Sequence, residues 1–291
     1  MSEKNSVVAD RSGFITEKGN GIYWEYFGKG DKEVVVLLNG LAMHTPSWYS
    51  MLQQFNSEFD VLLFDYQGQG KSNCDDKPYF ISDFADYLAL IMDTNKIDKV
   101  HVMGVSYGGF VAADFGRLHQ DRLHTLTLSG ILLSREVTFQ MYQDISLRFY
   151  TSGPEIFELY TQYLYEKIFG ENFLRVVYDK LGKMRQDFYE RYKNQIHCLI
   201  RLTEAQNPFF ERIDNHIEEY QAIKTPTLIL AGKHDRAIPL WMQEKICDII
   251  PDTRLVVIDN CGHLTYLEQP KEFWQNLIAF IKSKSTSYQL S

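Results

Sequence analysis

The sequence predicts an α/β fold with a doubly wound, mostly parallel sheet, and three observations support this. Short, nearly continuous apolar runs recur along the chain, as is typical of strands buried on both faces of a parallel sheet. Segments with helical spacing alternate with these runs, which is the pattern of a doubly wound sheet. The alternation stops at residues 134–220, where helix-period segments occur without a convincing strand. We therefore expect a large helical insertion between two strands.

The individual elements follow from the same periodicities. Strands are predicted at residues 21–27, 34–39, 61–65, 100–106, 123–129, 227–231 and 255–258. Helices are predicted at residues 47–56, 80–95, 240–250 and 270–282, and within the insertion at 155–169, 173–181 and 186–203. The insertion is rich in Tyr and Phe, and we expect some of these rings to face a pocket. The chain then divides into a core of residues 1–133 and 221–291 and an insertion of residues 134–220, and the end of the chain, 283–291, is expected to fray.

A single serine stands at the apex of a predicted strand–turn–helix unit. Residues 104–108 read Gly-Val-Ser-Tyr-Gly, after an apolar run and before a stretch of small residues. Glycines at both ends of a G-x-S-x-G segment permit a turn tight enough to expose the serine hydroxyl at the end of a sheet and the start of a helix. Ser106 is therefore the candidate nucleophile.

A serine hydroxyl needs a base to activate it, and the base needs an acid that orients it. Both follow apolar runs further along the chain: Asp235 after residues 227–232 and His263 after residues 254–258. The chain order is therefore nucleophile, acid, base, which differs from the orders in chymotrypsin and subtilisin. We predict that Ser106, Asp235 and His263 form a catalytic triad.

Four further segments match motifs of one known family. Asn39-Gly40-Leu41 is similar to a His-Gly-x loop after that family's third strand, and residues 65–72 are similar to its D-x-x-G-x-G-x-S segment. Residues 232–239 are similar to its G-x-x-D-x-x-x-P acid loop, and Gly262-His263 to the G-H that carries its base. Over nearly its whole length the chain thus resembles the α/β-hydrolase superfamily. It departs at Asn39, where most members have histidine.

The resemblance implies a helical cap inserted after the sixth strand and a serine hydrolase that cleaves a carboxylic ester or lactone through an acyl-enzyme. In that family pattern Ser106 attacks the acyl carbon, His263 takes the serine proton and Asp235 orients His263. The backbone N–H groups of Leu41 and Tyr107 would form the oxyanion hole. The implied partner is a small-molecule ester or acyl compound, and no oligomeric state is predicted.

Two alternatives remain open. The Asn-Gly pair at residues 39–40 also resembles the corresponding loop of an acyltransferase that joins two hydroxyacyl units, with an alcohol instead of water as acceptor. A slow-turnover ligand receptor of the same fold would retain all three triad residues. Asn39, through its amide, and His44, near the expected oxyanion donors, are candidate substrate contacts. The ordinary alternatives are a loop-shaping role for Asn39 and a surface position for His44.

Composition argues against several other classes of protein. The formal net charge of −8 argues against nucleic acid as a partner, because phosphate binding needs a basic surface. No apolar leader and no segment of membrane-spanning length occurs, so a cytoplasmic location without a membrane span is expected. No two of the four cysteines (Cys74, Cys198, Cys247 and Cys261) form a C-x-x-C pair, and none has a metal-like spacing to a histidine. We therefore expect free thiols, no metal and no cofactor.

Overall fold

A computed structural model describes residues 7–55, 58–75 and 77–290. Its centre is an eight-stranded sheet with the strand order β1-β2-β4-β3-β5-β6-β7-β8. The strands are β1 (Arg11–Glu17), β2 (Asn20–Phe27), β3 (Val34–Leu38), β4 (Asp60–Phe64), β5 (Val100–Val105), β6 (Leu123–Ser129), β7 (Thr227–Gly232) and β8 (Thr253–Ile258). At one edge β1 pairs antiparallel with β2, and β2 pairs antiparallel with β4. The strands β4-β3-β5-β6-β7-β8 pair in parallel, each with the next in this order. The mostly parallel, doubly wound α/β fold predicted from the sequence is therefore confirmed.

Each of the seven predicted strands is present, but β1 was not predicted. Only Ile15 of this edge strand is buried, and Phe14 points to solvent. A strand that contributes so little to the core carries almost no apolar run, and periodicity therefore does not reveal it.

Helices cover both faces of the sheet because alternate strand residues point to opposite sides. Val36 of β3 packs with Phe84 on one face, whereas its neighbours Val35 and Leu37 pack with Leu277 on the other. The helices outside the insertion are α1 (Ile81–Thr94), α2 (Tyr107–Leu118), α10 (Leu240–Glu244), α11 (Thr265–Glu268) and α12 (Pro270–Ser283). The predicted helix at 47–56 is a 3-10 helix over Thr45–Gln54, and its last predicted residue, Asn56, lies outside the described residues.

Between β6 and β7 the described chain forms helices joined by short loops and contains no strand. This helical insertion contains α3 (Val137–Thr151), α4 (Pro154–Ile168), α5 (Glu171–Val177), α6 (Leu181–Tyr192), α7 (Ile196–Glu204), α8 (Gln206–His216) and α9 (Glu218–Gln221). It has its own aromatic cluster, in which Tyr150, Phe157, Tyr160, Tyr192 and Leu199 are buried together. A helical insertion after the sixth strand is thus present as expected.

Two local expectations were wrong. The single helix predicted at 186–203 is divided by a turn, in which the Gln195 N–H donates to the Tyr192 carbonyl at 2.8 Å. Residues 283–290, the described part of the segment expected to fray, are held against the core: Tyr288 is buried, and its hydroxyl donates to Asn276 Oδ1 at 2.6 Å. Ser291 lies outside the described residues. The Arg254 guanidinium lies 4.0 Å from the centre of the Tyr288 ring. Tyr288 therefore anchors the terminal segment by a contact that no short sequence pattern encodes.

The expectation of four free thiols was also wrong. Cys74, in the loop after β4, and Cys198, in α7, form a disulfide, whereas Cys247 and Cys261 are free. The two bonded cysteines are 124 residues apart, so their spacing gives no sign of the pairing. The bond joins the loop at the sheet to the helical insertion.

Within the described ranges, we find no helix with the length and apolar character needed to cross a lipid bilayer.

Candidate active site

Ser106 occupies a sharp turn between β5 and α2. Its φ of 51° and ψ of −123° lie in a region that non-glycine residues rarely adopt. A Cβ on Gly104 would come within 2.2 Å of the Gly108 carbonyl oxygen, and one on Gly108 within 2.4 Å of the Leu38 carbonyl oxygen. Both glycines are therefore required by close backbone approach, and together they hold the serine in its strained conformation.

Asp235 lies in the loop after β7, and four hydrogen bonds fix its carboxylate. Oδ1 accepts from the N–H groups of Ala237 (2.9 Å) and Ile238 (2.8 Å). Oδ2 faces Nδ1 of His263 at 2.7 Å and also accepts from the Gln243 side chain at 3.1 Å. The carboxylate is buried, and any rotation of it would break at least one of these hydrogen bonds.

His263 follows β8 and is buried beside Asp235. Burial lowers the pKa of His263, but the Asp235 carboxylate and then Glu268 more than offset this, so the pKa lies above its ordinary value. With Nδ1 directed at Asp235, Nε2 is the ring nitrogen that remains for another partner. The ring lies against Gly130, where an added Cβ would meet Cε1 at 2.7 Å.

Ser106 and His263 both line one cavity of about 360 Å³. The core supplies its floor, and the helical insertion supplies much of its wall. Aromatic side chains of the insertion at the wall include Phe139, Tyr142, Tyr150, Tyr160, Phe169 and Phe188. The structure thus identifies which of the many insertion aromatics face a pocket, which sequence periodicity alone could not.

Leu41 and Tyr107, the two predicted oxyanion donors, also line this cavity. Tyr107 begins α2, and the first N–H groups of a helix have no partner within the helix. Leu41 follows Gly40, whose added Cβ would lie 3.6 Å from Cβ of Ser106. The loop after β3 therefore runs beside the serine turn.

Neither candidate substrate contact has an amide or ring in the cavity wall. Asn39 is fully buried: its Nδ2 donates to the Phe64 carbonyl at 2.9 Å, and its Oδ1 accepts from Trp48 Nε1 at 2.8 Å. Because both ends of the amide are used to hold the loop, Asn39 has the loop-shaping role. His44 lies beside Arg191, with Nδ1 3.4 Å from a guanidinium nitrogen. Burial and then Arg191 lower the pKa of His44 to about 4, so its ring is neutral at pH 7.

Sequence reasoning missed Gln243 and Glu268. Gln243, fully buried in α10, donates to Asp235, and its oxygen accepts from the Gly130 N–H at 3.2 Å. Glu268 Oε2 accepts from the N–H groups of Gly262 and Gly170, each at 2.9 Å. Glu268 follows Gly262-His263 closely in the sequence, and this proximity could have identified it as a candidate, whereas no local sequence pattern identifies Gln243.

The insertion is tied directly to both loops that carry His263 and Asp235. The His263 N–H donates to the Ile168 carbonyl at 2.8 Å, at the end of α4. The guanidinium of Arg236, next to Asp235, donates to the carbonyls of Glu166 and Phe169. The end of α4 therefore contacts both the loop that carries Asp235 and the loop that carries His263.

A group of possible metal ligands lies elsewhere. Cys74, His197 and Cys198 offer ligand atoms within 4.8 Å of one another, a cluster that sequence spacing did not show. His197 Nε2 lies 3.2 Å from the Cys74 sulfur and 3.4 Å from the Cys198 sulfur. The two sulfurs are bonded to each other, and metals bind cysteine as the thiolate, so the oxidised cluster does not fit a metal.

Comparison with known proteins identifies the family to which the fold belongs. Residues 33–270 match the family described as alpha/beta hydrolase fold. The 2-hydroxy-6-oxononadienedioate/2-hydroxy-6-oxononatrienedioate hydrolase of Paraburkholderia phymatum is 27% identical over 92% of this chain and 93% of its own length. The pimeloyl-[acyl-carrier protein] methyl ester esterase of Aeromonas hydrophila is 24% identical over 88% of this chain and 98% of its own length. The enol-lactonase of Burkholderia xenovorans has a similar structure, with a TM-score of 0.78, 21% identity, and coverage of 92% of this chain and 99% of that chain.

The chain therefore belongs to the α/β-hydrolase fold family, since the match spans most of its length. It is a hydrolytic enzyme of that class.

Proposed function

We propose that this enzyme hydrolyses a carboxylic ester or lactone through an acyl-enzyme on Ser106. The observation that carries the proposal is the meeting of two features in one cavity. Ser106 enters it from a strained turn, and His263 enters it with Nδ1 already held by Asp235. Such an arrangement is what a serine nucleophile needs from its base and its acid.

The reaction follows from these positions. His263 Nε2 takes the Ser106 proton as Oγ attacks the carbonyl carbon, and the Asp235 carboxylate stabilises the imidazolium that forms. The N–H groups of Leu41 and Tyr107 donate hydrogen bonds to the carbonyl oxygen as it becomes negatively charged, and loss of one such donor typically costs about 10²–10³ in rate. His263 then gives the proton to the leaving alkoxide. In the second half of the reaction His263 takes a proton from a water molecule that attacks the acyl carbon, and it returns this proton to Ser106 Oγ as the carboxylic acid is released.

The cavity supports an acyl substrate of low polarity. Its wall is mainly apolar and aromatic, and it is large enough to surround a small molecule. An esterase and an enol-lactonase are among the similar proteins, which supports the proposal of an ester or lactone substrate. The helical insertion, predicted to span residues 134–220, would act as a cap that covers the cavity and keeps bulk solvent away from the bound acyl chain.

Active-site labelling tests the nucleophile. A fluorophosphonate probe should label the wild type and fail to label Ser106→Ala, whereas Ser47→Ala, which removes another hydroxyl at the cavity wall, should label normally. Labelling that persists in Ser106→Ala would overturn the assignment.

A substrate screen tests the reaction. p-Nitrophenyl esters of increasing chain length should be turned over by the wild type and by Ser47→Ala, but not by His263→Ala. Adding a 3-hydroxyacyl acceptor alongside these esters separates hydrolysis from acyl transfer, because transfer would yield a joined ester in place of the free acid. Turnover far below about 1 s⁻¹ on every ester would instead favour a ligand receptor.

A further inference from the structure

Gln143 is an unusual member of the cavity wall. It lies on α3, lines the same cavity as Ser106, and is only 4% exposed. Both ends of its side-chain amide, Oε1 and Nε2, lack a hydrogen-bond partner within the described part of the protein. Gln143 therefore carries an unused donor and an unused acceptor in the wall of a mainly apolar pocket, and neighbouring atoms cover both almost completely in this conformation.

Two other polar side chains in the wall are paired. Ser146, one turn toward the C-terminal end of α3, donates to the Tyr142 carbonyl at 2.9 Å, and Gln206 donates to the Thr203 carbonyl at 3.4 Å. Buried polar groups are nearly always paired, since leaving them unpaired costs free energy in the folded state. An amide with both ends unpaired in the wall of a cavity points to a ligand toward which the side chain turns to complete the pairing.

The position of Gln143 relative to Ser106 suggests which part of a substrate it meets. Gln143 follows Phe139 by one helical turn, so the two share a face of α3. The Phe139 ring packs on Phe110, with ring centres 6.2 Å apart, and Phe110 itself lies one turn after Ser106 in the chain. Gln143 therefore belongs to the part of the wall that α3 contributes, whereas Ser106 enters from the core, so the group that Gln143 would meet is a different part of the substrate from the one that Ser106 attacks.

We propose that Gln143 binds an uncharged group of the substrate that offers both a hydrogen-bond donor and an acceptor, such as a secondary amide placed several bonds from the scissile ester. The inference rests on the proposed function and adds its substrate class. An amide fits because it forms two hydrogen bonds with the Gln143 amide and brings no net charge into an apolar wall, where an unpaired charge is expensive. Substrates with a plain alkyl chain would leave the Gln143 amide unpaired and be disfavoured.

Matched substrates test the proposal. p-Nitrophenyl esters of N-acetyl-β-alanine, N-acetyl-4-aminobutyrate and N-acetyl-5-aminovalerate would be compared with alkanoyl esters of equal chain length, so that the amide is moved along the pocket. For the preferred amide ester, Gln143→Leu should lower kcat/KM about 10- to 100-fold. For the alkyl ester of equal length, the variant should stay within about threefold of wild type. Gln140→Leu, on the same helix at an outer position where Gln140 pairs with Asp144, should leave both values unchanged.

Folding does not limit the test. Gln143→Leu removes two unpaired buried polar atoms, so its midpoint of heat unfolding should be at least that of wild type, and Gln143→Met serves as a second variant of similar length. An equal loss on amide and alkyl esters would overturn the proposal, as would an amide preference that survives in both variants.

Binding separates this inference from the proposed function. In a Ser106→Ala background, calorimetry with the free N-acetylamino acids and the matching alkanoates reports the subsite without turnover. Tighter binding of the amide compound, lost in Ser106→Ala/Gln143→Leu, supports the subsite even if no ester is hydrolysed. Equal binding of both compounds refutes the subsite while leaving ester hydrolysis to be judged by the wild type alone.

Discussion

Gln243 donates its side-chain amide to Oδ2 of Asp235 at 3.1 Å, the same oxygen that faces His263 at 2.7 Å. The other end of the Gln243 amide accepts from the Gly130 N–H, and the His263 ring lies against Gly130. The buried Gln243 side chain therefore holds the Asp235 carboxylate and also the Gly130 backbone, against which the His263 ring packs. It does so without entering the cavity.

Replacing Gln243 with Leu should lower kcat/KM about 10- to 100-fold, because a hydrogen bond to a charged group contributes about 1.5–3 kcal/mol and its loss lets Asp235 shift. Steady-state kinetics with the best ester, together with circular dichroism to verify folding, would measure this. Gln275→Leu, at an exposed position of α12, should behave like wild type. Equal kinetics for the two variants would show that Asp235 needs no help from Gln243.

Gly130→Ala should strongly reduce turnover while leaving the sheet intact. The new methyl group would lie 2.7 Å from Cε1 and 2.9 Å from Nδ1 of His263, so the ring must move away from Asp235, and a φ of +64° adds backbone strain. Fluorophosphonate labelling rates would report the displaced base. Gly182→Ala, where a Cβ meets nothing within 4 Å, is the matched control. Normal labelling of Gly130→Ala would mean that the ring tolerates the shift.

Activity should fall as the pH drops through the raised pKa of His263. In the proposed mechanism His263 acts as a base only when neutral, and because its pKa lies above the ordinary value for histidine, protonation removes activity as the pH falls through that higher value. Because Glu268 contributes to the rise, Glu268→Gln should move the acid limb of the kcat/KM profile to lower pH. Glu272→Gln, at an exposed position, should leave the limb in place. If the acid limb of the Glu268→Gln profile lies at the same pH as in the wild type, Glu268 does not raise the pKa of His263.

Loss of the disulfide should destabilise the protein. By the chain-entropy argument, closing a loop of 124 residues contributes about 2–5 kcal/mol to the free energy of unfolding. The double variant Cys74→Ser/Cys198→Ser should therefore unfold at a lower urea concentration than the oxidised wild type, whereas Cys247→Ser should unfold at the wild-type concentration. Thiol titration of the unfolded, unreduced protein should count two free thiols, and four would contradict the bond. In a cytosol that keeps thiols reduced, the wild type would resemble the double variant.

Much of the site could be predicted because its residues stand at fixed places in a repeating pattern. Ser106, Asp235 and His263 each follow an apolar run, and parallel strands end at one edge of a sheet, so their convergence follows from the strand order. Gly104 and Gly108 could be assigned to the turn for the same local reason. The disulfide, the anchoring of Tyr288 and the pairing of Asp235 with Gln243 were missed.

The sequence by itself determined seven of the eight strands, the place of the insertion and the three residues expected to do the chemistry, because these depend on short-range periodicity and chain order. Only the tertiary structure decided that the Asn39 amide holds the loop, that Cys74 meets Cys198, and that Gln143 lies in the cavity wall with its amide unpaired. The physical reason is that hydrogen-bond partners and cavity walls come from residues far apart in the chain. Their contacts exist only once the insertion has packed against the sheet.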